Sequence, residues 1–223
     1  MKRAAVVVAI VASVLLLLGV GADRAVAAVA ERTITQKIEE SVTGASSVST
    51  SIVGVPILTQ VARGSLDHVT VRVGDLATAG GPTISSAVVE LYGVSTTSPR
   101  TADRVEATAD ITTAELQKSL GDSWKIRPDG SAFAVEWTGG LSLEARIVPT
   151  IADGKLALGL ESVTILGVSV DGSVVPAAVT DRINAVAASV GELPFGLTPT
   201  SVTVTPDGVR LVASGSHVDL EQG

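Results

Sequence analysis

The sequence has no cysteine, and this absence excludes several kinds of chemistry at once. Without thiols there are no disulfides, no thiolate nucleophile and no cysteine ligand for a metal. Cationic residues are also scarce, since 16 Lys and Arg stand against 23 Asp and Glu and give a net charge of −7. Because nucleic-acid binding relies on clustered positive charge, a nucleic-acid partner is not expected.

Aromatic residues make up only 2% of the chain, although 46% of it is hydrophobic. The interior must therefore be built from Val, Leu, Ile and Ala, and such an interior is a good solvent for acyl chains. Branched aliphatic residues together with 22 glycines favour strands and turns over a helical bundle. A chain of 223 residues is long enough to bury a core of this kind.

The sequence motifs of common enzymes are missing as well. The chain has no Gly-x-Ser-x-Gly, no His-Glu-x-x-His, no Walker A motif and no dinucleotide-binding glycine pattern. Its two histidines, His68 and His217, are far apart in sequence, and His68 falls on the polar side of a predicted strand. We therefore expect no catalytic residue, no metal site and no cofactor. An envelope hydrolase that uses carboxylates such as Asp110, Glu136 and Glu144 stays open as an alternative.

The N-terminus has the pattern of an export signal. Lys2 and Arg3 precede an unbroken apolar run over residues 4–20, whose length lies between a cleaved signal peptide and a short membrane span. Residues 1–21 are therefore predicted to be a signal peptide or a signal-anchor, and a cleavage motif, Ala25-Val26-Ala27, follows them. We predict an exported protein of the cell envelope or periplasm, either secreted or held in the membrane by an N-terminal transmembrane helix.

The rest of the chain, residues 22–223, is predicted to form one antiparallel α+β domain. Apolar residues at helical spacing predict a long amphipathic helix over residues 22–42, and alternating apolar and polar residues over 69–73 predict a half-buried strand. A second long helix is predicted over residues 176–191. Roughly nine to eleven strands lie around these helices without the regular alternation of βαβ units.

Local signals predict several turns and helix ends. Thr112 and Glu115 have the spacing of a capping box and predict a short helix. Asp153-Gly154 and Pro206-Asp207-Gly208 predict hairpin turns. The last strand is predicted over residues 209–214, followed by a polar tail from Gly215 that ends close to it.

A proline-stiffened stretch, residues 54–60, lies between the first predicted helix and the strands. Pro56 fixes its own φ and holds Val55 extended, so the stretch is predicted to be a non-helical elbow that plugs into the core or lines a pocket mouth. Residues 193–197 form a second apolar elbow of this kind.

Both elbows resemble segments of a known family. The runs that carry the resemblance are Val53-Gly54-Val55-Pro56-Ile57-Leu58-Thr59-Gln60 with Gly64-Ser65-Leu66 and Val69-Thr70-Val71, and Leu193-Pro194-Phe195-Gly196-Leu197-Thr198-Pro199 with Val202-Thr203-Val204-Thr205-Pro206-Asp207-Gly208-Val209. They are similar to the actinobacterial LmeA-like phospholipid-binding family, with Val55 where the family favours an aromatic residue. The resemblance implies an envelope protein that binds phospholipids, including phosphoinositides, and supports the assembly of envelope lipids or lipoglycans. It also implies a fold similar to the tubular lipid-binding superfamily, in which a curved antiparallel sheet wraps a long amphipathic helix around an acyl-chain cavity.

We therefore predict a protein that is not an enzyme and that binds or transfers phospholipid, with acyl chains held between the helix of residues 22–42 and the inner face of the sheet. A structural envelope module with a solidly packed core remains an alternative, and the sequence does not indicate the oligomeric state. The predicted partners are phospholipid acyl chains and, through the N-terminal segment, the cytoplasmic membrane. The residues predicted to contact lipid are Val26, Ile34, Ile38, Val55, Ile57, Leu58, Leu116, Phe133 and Phe195.

Overall fold

The structure, a computed structural model, describes residues 23–36, 39, 45–78, 81–138, 143–170 and 193–221. Residues 23–36 are helical and are called α1. The elements after α1 are β1 (Ser47–Val53), α2 (Ile57–Arg63), β2 (Ser65–Leu76), β3 (Ile84–Ser95), β4 (Thr101–Thr112), α3 (Thr113–Leu120), β5 (Trp124–Asp129), β6 (Ala132–Trp137), β7 (Leu143–Ala152), β8 (Lys155–Ile165), β9 (Val168–Val170), a 3-10 turn (Pro194–Gly196), β10 (Thr198–Thr205) and β11 (Gly208–Asp219). The helix predicted over residues 176–191 lies outside the described residues.

The strands form two open sheets. The large sheet has six strands in the order β1-β2-β3-β4-β11-β10, and the small sheet has five in the order β5-β6-β7-β8-β9. All neighbouring strands are antiparallel, which confirms the predicted antiparallel α+β class. A long amphipathic helix wrapped by a sheet is not shown, because the described helices are short.

Two of the local predictions are confirmed. The Thr112 Oγ1 accepts a hydrogen bond from the Glu115 backbone N–H at 3.4 Å and so caps α3, which ends at Gly121. Asp153 and Gly154 join β7 to β8 with φ angles of 51° and 68°, the left-handed values that a two-residue hairpin turn favours.

Two other local predictions are wrong. The stretch predicted to be non-helical contains the start of α2, because Pro56 occupies the N-cap position and the helix begins at Ile57 directly after it. A proline prevents a helix from continuing through it from upstream, but it is well tolerated where a helix starts. The last strand is also longer than predicted, since β11 does not end at Ser214 but continues to Asp219 by pairing with β4.

Buried apolar side chains form three clusters. The first cluster joins α1 and α2 to the strands β1 and β2. The second fills the space between the small sheet and the β10 edge of the large sheet, where β10 contacts β7 and β8 and where α3 adds Leu116. The third lies at the end of β4 and β11, around Ala102, Val105 and Val218.

Candidate functional site

The strand register places an uncharged and largely aliphatic set of side chains on one face of the large sheet. Directly opposed residues of antiparallel strands project on the same side. We call the following three rows of paired residues the apolar face. The rows are Ile52-Val69-Leu91-Val105-Gly215, Thr50-Val71-Val89-Ala107-Ala213-Pro199 and Val48-Val73-Ala87-Ala109-Leu211-Val202.

The opposite face of the same sheet is polar. The His68 ring stacks on Tyr92 with 4.5 Å between the ring centroids, and the Arg104 guanidinium lies 4.2 Å from the Tyr92 centroid. Glu90 and Glu106 are directly paired on this side, next to Arg104. His68 therefore lies on the polar face, as predicted, and the three rows on the other side of the sheet contain no charged side chain.

The Tyr92 phenol is tuned by this polar cluster. Its Oη donates a hydrogen bond to Glu90 Oε2 at 3.1 Å. Partial desolvation and the carboxylates of Glu90 and Glu106 raise the pKa of Tyr92, while the Arg104 cation opposes the rise. The cluster therefore keeps the phenol protonated and links β2, β3 and β4 on the side away from the apolar face.

Burial is uneven across the apolar face. On β2, Val69 is 4% exposed, Val71 8% and Val73 9%, because α1 and α2 pack in one cluster with these valines and β1 lies beside β2 in the sheet. Farther across the sheet, several face residues are only half-buried. These residues are Ala87, Val89, Leu91, Ala107, Ala109, Leu211 and Val202.

Four alanines occupy neighbouring positions at the centre of the face. Ala87 is paired with Ala109, and Ala107 is paired with Ala213. We call these four residues the alanine strip. Because an alanine side chain is one carbon long, the strip leaves more space above the sheet than the valines and leucines beside it. It is a low, uncharged surface on which an extended hydrocarbon chain can lie.

The helices α1 and α2 border this surface on the β1–β2 side. Ala27 of α1 is 4% exposed and Ile57 of α2 is fully buried, and both pack with Ile52 and Val69. Ile34 is partly buried against the same cluster. The helices thus close one side of the apolar face.

Buried polar groups fix the position of α2. The Asp23 carboxylate is 2% exposed, and its Oδ1 accepts a hydrogen bond from the Leu58 backbone N–H at 2.7 Å. Gln60 is equally buried, and its Oε1 accepts from the Asp67 backbone N–H at 2.8 Å. The Glu31 Oε1 accepts from the Ile52 N–H at 2.8 Å and ties α1 to β1. These bonds join the two helices α1 and α2 to the strands β1 and β2 at one edge of the apolar face.

Four of the predicted lipid-contact residues pack in buried clusters, where Ile57 and Phe133 are buried and Ile34 and Leu116 are partly buried. Ile34 and Ile57 belong to the cluster formed by α1, α2 and β2. Leu116 and Phe133 belong to the cluster under the small sheet, where Phe133 is 6% exposed. The structure therefore brings these residues together in two pairs at the two ends of the large sheet.

The other predicted lipid-contact residues lie nearer the surface. Val55 is 59% exposed, and Leu58 and Phe195 are each 42% exposed. Val26 is half-buried on α1, and Ile38 lies outside the described residues. Lipid contact by all nine residues stays a prediction.

The acidic residues of the hydrolase alternative belong to two different sheets. Asp110 lies on the polar face of the large sheet and forms a bidentate ion pair with Arg210, at 2.7 and 3.1 Å. Glu136 and Glu144 are directly opposed on the small sheet, where Glu144 binds Arg127 at 2.7 Å. Asp110 and Glu144 are thus engaged with arginines, which suits a structural role.

A depression of about 280 Å³ lies on the charged side of the small sheet. Its walls carry the cations of Lys125 and Arg127 and the carboxylate of Glu136. The Gln117 Oε1 at its edge accepts a hydrogen bond from the Ile126 backbone N–H of β5. Such walls do not suit an acyl chain, and none of the lining residues belongs to the apolar face. The lining residues are Gln117, Lys125, Ile126, Arg127, Ala134 and Glu136.

The sequence analysis missed the alanine strip. The signal for two of its members was present in β4, where Val105, Ala107 and Ala109 alternate with charged or polar residues. Period-2 alternation marks one side of that strand as apolar. The alternation does not predict which strands lie beside β4, because β11, which pairs with it, comes from a distant part of the chain.

Comparison with known proteins assigns the chain to a family. The model of the LmeA-like phospholipid-binding family matches residues 21–214, which include α1, both elbows and the whole apolar face except Gly215. No curated protein and no solved structure matches the chain. Among the described residues, none of the helices combines the length and hydropathy needed to cross a membrane. Because the match covers most of the sequence and confirms the resemblance noted above, the protein belongs to the LmeA-like phospholipid-binding family.

Proposed function

We propose that the protein binds phospholipid by laying acyl chains along the apolar face, over the alanine strip, and that it acts without catalysis as a lipid-binding or lipid-transfer protein of the cell envelope. The observation that carries this proposal is the uncharged alanine strip at the centre of the large sheet, where Ala87, Ala107 and Ala109 are half-buried and Ala213 is 3% exposed. Family membership supplies the ligand class, and the strip is the described surface that fits an acyl chain best.

The energetics favour acyl chains over headgroups as the main source of affinity. Each methylene removed from water contributes about 0.8 kcal/mol, so a chain buried over half its length binds without strong polar contacts. The rows of the apolar face contain no charged side chain. A phosphate headgroup would therefore remain at the border of the face, in contact with water. Phosphoinositides are included among the proposed ligands on the strength of the family resemblance alone.

The tubular arrangement is part of the same proposal. Ala27 and Ile34 already place α1 against the first buried cluster, beside the apolar face. In our proposal, the helix predicted over residues 22–42 covers the bound acyl chains. The predicted signal segment, residues 1–21, directs the protein to the envelope and provides its contact with the cytoplasmic membrane.

The test is to purify the full chain, extract it with organic solvent and identify the recovered lipid by mass spectrometry. Two variants, Ala107→Leu and Ala109→Leu, fill the strip with larger side chains and should lower the amount of lipid recovered per protein. Thr108→Leu is the matched control, because Thr108 lies between the two alanines in β4 and projects from the polar face. It adds bulk at the same depth in the same strand.

The proposal fails if the wild-type chain carries no phospholipid and takes none up from vesicles, which is the behaviour of a solidly packed structural module. It fails equally if both alanine variants, still folded by circular dichroism, retain as much lipid as Thr108→Leu.

A further inference from the structure

An exposed aliphatic patch lies on the elbow and on the outer side of α2. Val55 is 59% exposed, Leu58 42% and Val61 43%. Leu58 and Val61 are three residues apart in α2 and therefore lie on the same side of the helix. We call these three residues the elbow patch. Scattered exposed valines are common, but these three aliphatic residues fall within seven positions of the chain and so form a local apolar surface.

The elbow patch is free of charge, although the chain as a whole is acidic. Residues 41–62 contain no Asp, Glu, Lys or Arg, in a chain whose net charge is −7. The nearest cation along the chain, Arg63, is paired with Asp67 at 3.3 Å. Because burying an unpaired charge is costly, an uncharged surface is one that can enter the apolar boundary of a bilayer.

The patch is held rigidly, so its direction is set by the fold. Ile57 and Gln60 on the inner side of α2 are buried, and Gln60 is bonded to the backbone of β2. The Asp23 carboxylate holds the first turn through the Leu58 N–H. The outer side of the helix therefore faces away from the first buried cluster.

The same bond links the elbow patch to the N-terminal apolar run. Asp23 follows the run of residues 4–20 after only Gly21 and Ala22. Three residue steps span about 10 Å at most. In the uncleaved, anchored form of the chain, Asp23 lies within that distance of the end of the run, and Leu58 is hydrogen-bonded to Asp23.

We propose that the elbow patch is a docking surface for a phospholipid bilayer, and that Val55, Leu58 and Val61 enter the boundary between headgroups and acyl chains. A bilayer is the occupant that fits an uncharged aliphatic surface tied closely to an apolar segment. The inference rests on the proposed function only in that both require phospholipid. Beyond the proposed function, the inference identifies which side of the molecule contacts the membrane.

A second exposed aliphatic pair provides a control. Leu166 and Val168 are 66% and 64% exposed at the turn between β8 and β9 on the small sheet. They are at least as apolar and exposed as the elbow patch. They have no described bond to Asp23, so the proposal predicts that they stay in water.

The absence of cysteine makes the test direct. Single variants Val55→Cys, Val61→Cys, Leu166→Cys and Val168→Cys are labelled in the full chain with an environment-sensitive fluorophore. The labelled proteins are reconstituted into phosphatidylcholine vesicles that carry a lipid-attached quencher. The expected result is a blue shift and quenching at positions 55 and 61, and neither at positions 166 and 168. Two positions per site keep the test valid if one variant misfolds.

The docking surface is refuted if the labels at 55 and 61 keep the emission of water-exposed dye, or if the labels at 166 and 168 are quenched to the same extent. Extraction of the same labelled proteins before they are mixed with vesicles separates this outcome from the proposed function. A preparation that carries lipid while its elbow labels stay in water contradicts the docking surface and leaves lipid binding standing.

Discussion

The bond between Asp23 and Leu58 predicts a measurable loss of stability in Asp23→Ala. The first N–H groups of a helix have no partner within it, and the N-cap of α2 is Pro56, which makes no side-chain cap bond. The Asp23 Oδ1 takes that role from 35 residues away, at 2.7 Å from the Leu58 nitrogen. The carboxylate also lies at the positive end of the α2 dipole.

The size of the loss follows from these two contributions. Removing a helix cap costs about 0.5–2 kcal/mol, and the charge at the helix end adds up to about 1 kcal/mol. The second oxygen of Asp23 is buried without a partner among the described residues, and this desolvation offsets part of the gain. We therefore expect Asp23→Ala to lower the free energy of unfolding by about 1–2 kcal/mol, a factor of 5–30 in the ratio of folded to unfolded protein.

Urea unfolding followed by circular dichroism measures the global loss, and amide hydrogen exchange of α2 measures the local one. Asp23→Asn is the matched control, because its amide oxygen still accepts the Leu58 bond, so its loss should be smaller. The reasoning is refuted if Asp23→Ala unfolds at the wild-type urea concentration with unchanged exchange at Leu58, or if Asp23→Asn loses as much stability as Asp23→Ala.

Two further predictions concern the large sheet. The chain contains one tyrosine, so the ultraviolet tyrosinate signal reports Tyr92 alone, and its midpoint should lie above the ordinary pKa of tyrosine in the folded protein and fall towards it in Glu90→Gln. Because folding raises the pKa of Tyr92, its contribution to stability is fully present below the unfolded-state pKa and is lost as the pH rises through the folded-state pKa. A Glu90→Gln titration that matches wild type would contradict this assignment. Gly208 has a φ of 158°, and a Cβ there would collide with the Ile111 carbonyl oxygen, so Gly208→Ala should cost more than about 2 kcal/mol in a thermal or urea melt. Gly121→Ala, at φ 82° with no atom within 4 Å of the added carbon, should cost about 1 kcal/mol, and equal losses at the two positions would refute the steric argument.

Local sequence signals predicted the elements whose cause is local. The alternation of valines predicted β2, the spacing of Thr112 and Glu115 predicted the start of α3, and Asp153-Gly154 predicted the hairpin between β7 and β8. The start of α2 was missed for two reasons. A seven-residue helix gives too short a periodic pattern, and Pro56 was interpreted as a residue that stops a helix, although it stands at the N-cap of one.

The arrangement of the sheets and of the candidate site could not be predicted in this way. The pairing of β4 with β11 joins residues about a hundred positions apart, and the Asp23–Leu58 bond joins two helices through a single side chain. Neither leaves a periodic trace in the sequence. The division of the strands into a sheet of six and a sheet of five also depends on such long-range pairing.

The strand β4 shows why the site was harder to find than the fold. Asp110, which lies on the polar face with Glu106 of the same strand, is a candidate carboxylate of the hydrolase alternative, yet it is held by Arg210 and joins β4 to β11. The alanines between Glu106 and Asp110, Ala107 and Ala109, carry no chemistry of their own and gain meaning only when β3 and β11 bring Ala87 and Ala213 beside them. The ion pair on one face therefore joins the strands whose small side chains form the proposed lipid surface on the other. Reactive residue types in the sequence point only to the first of these two features.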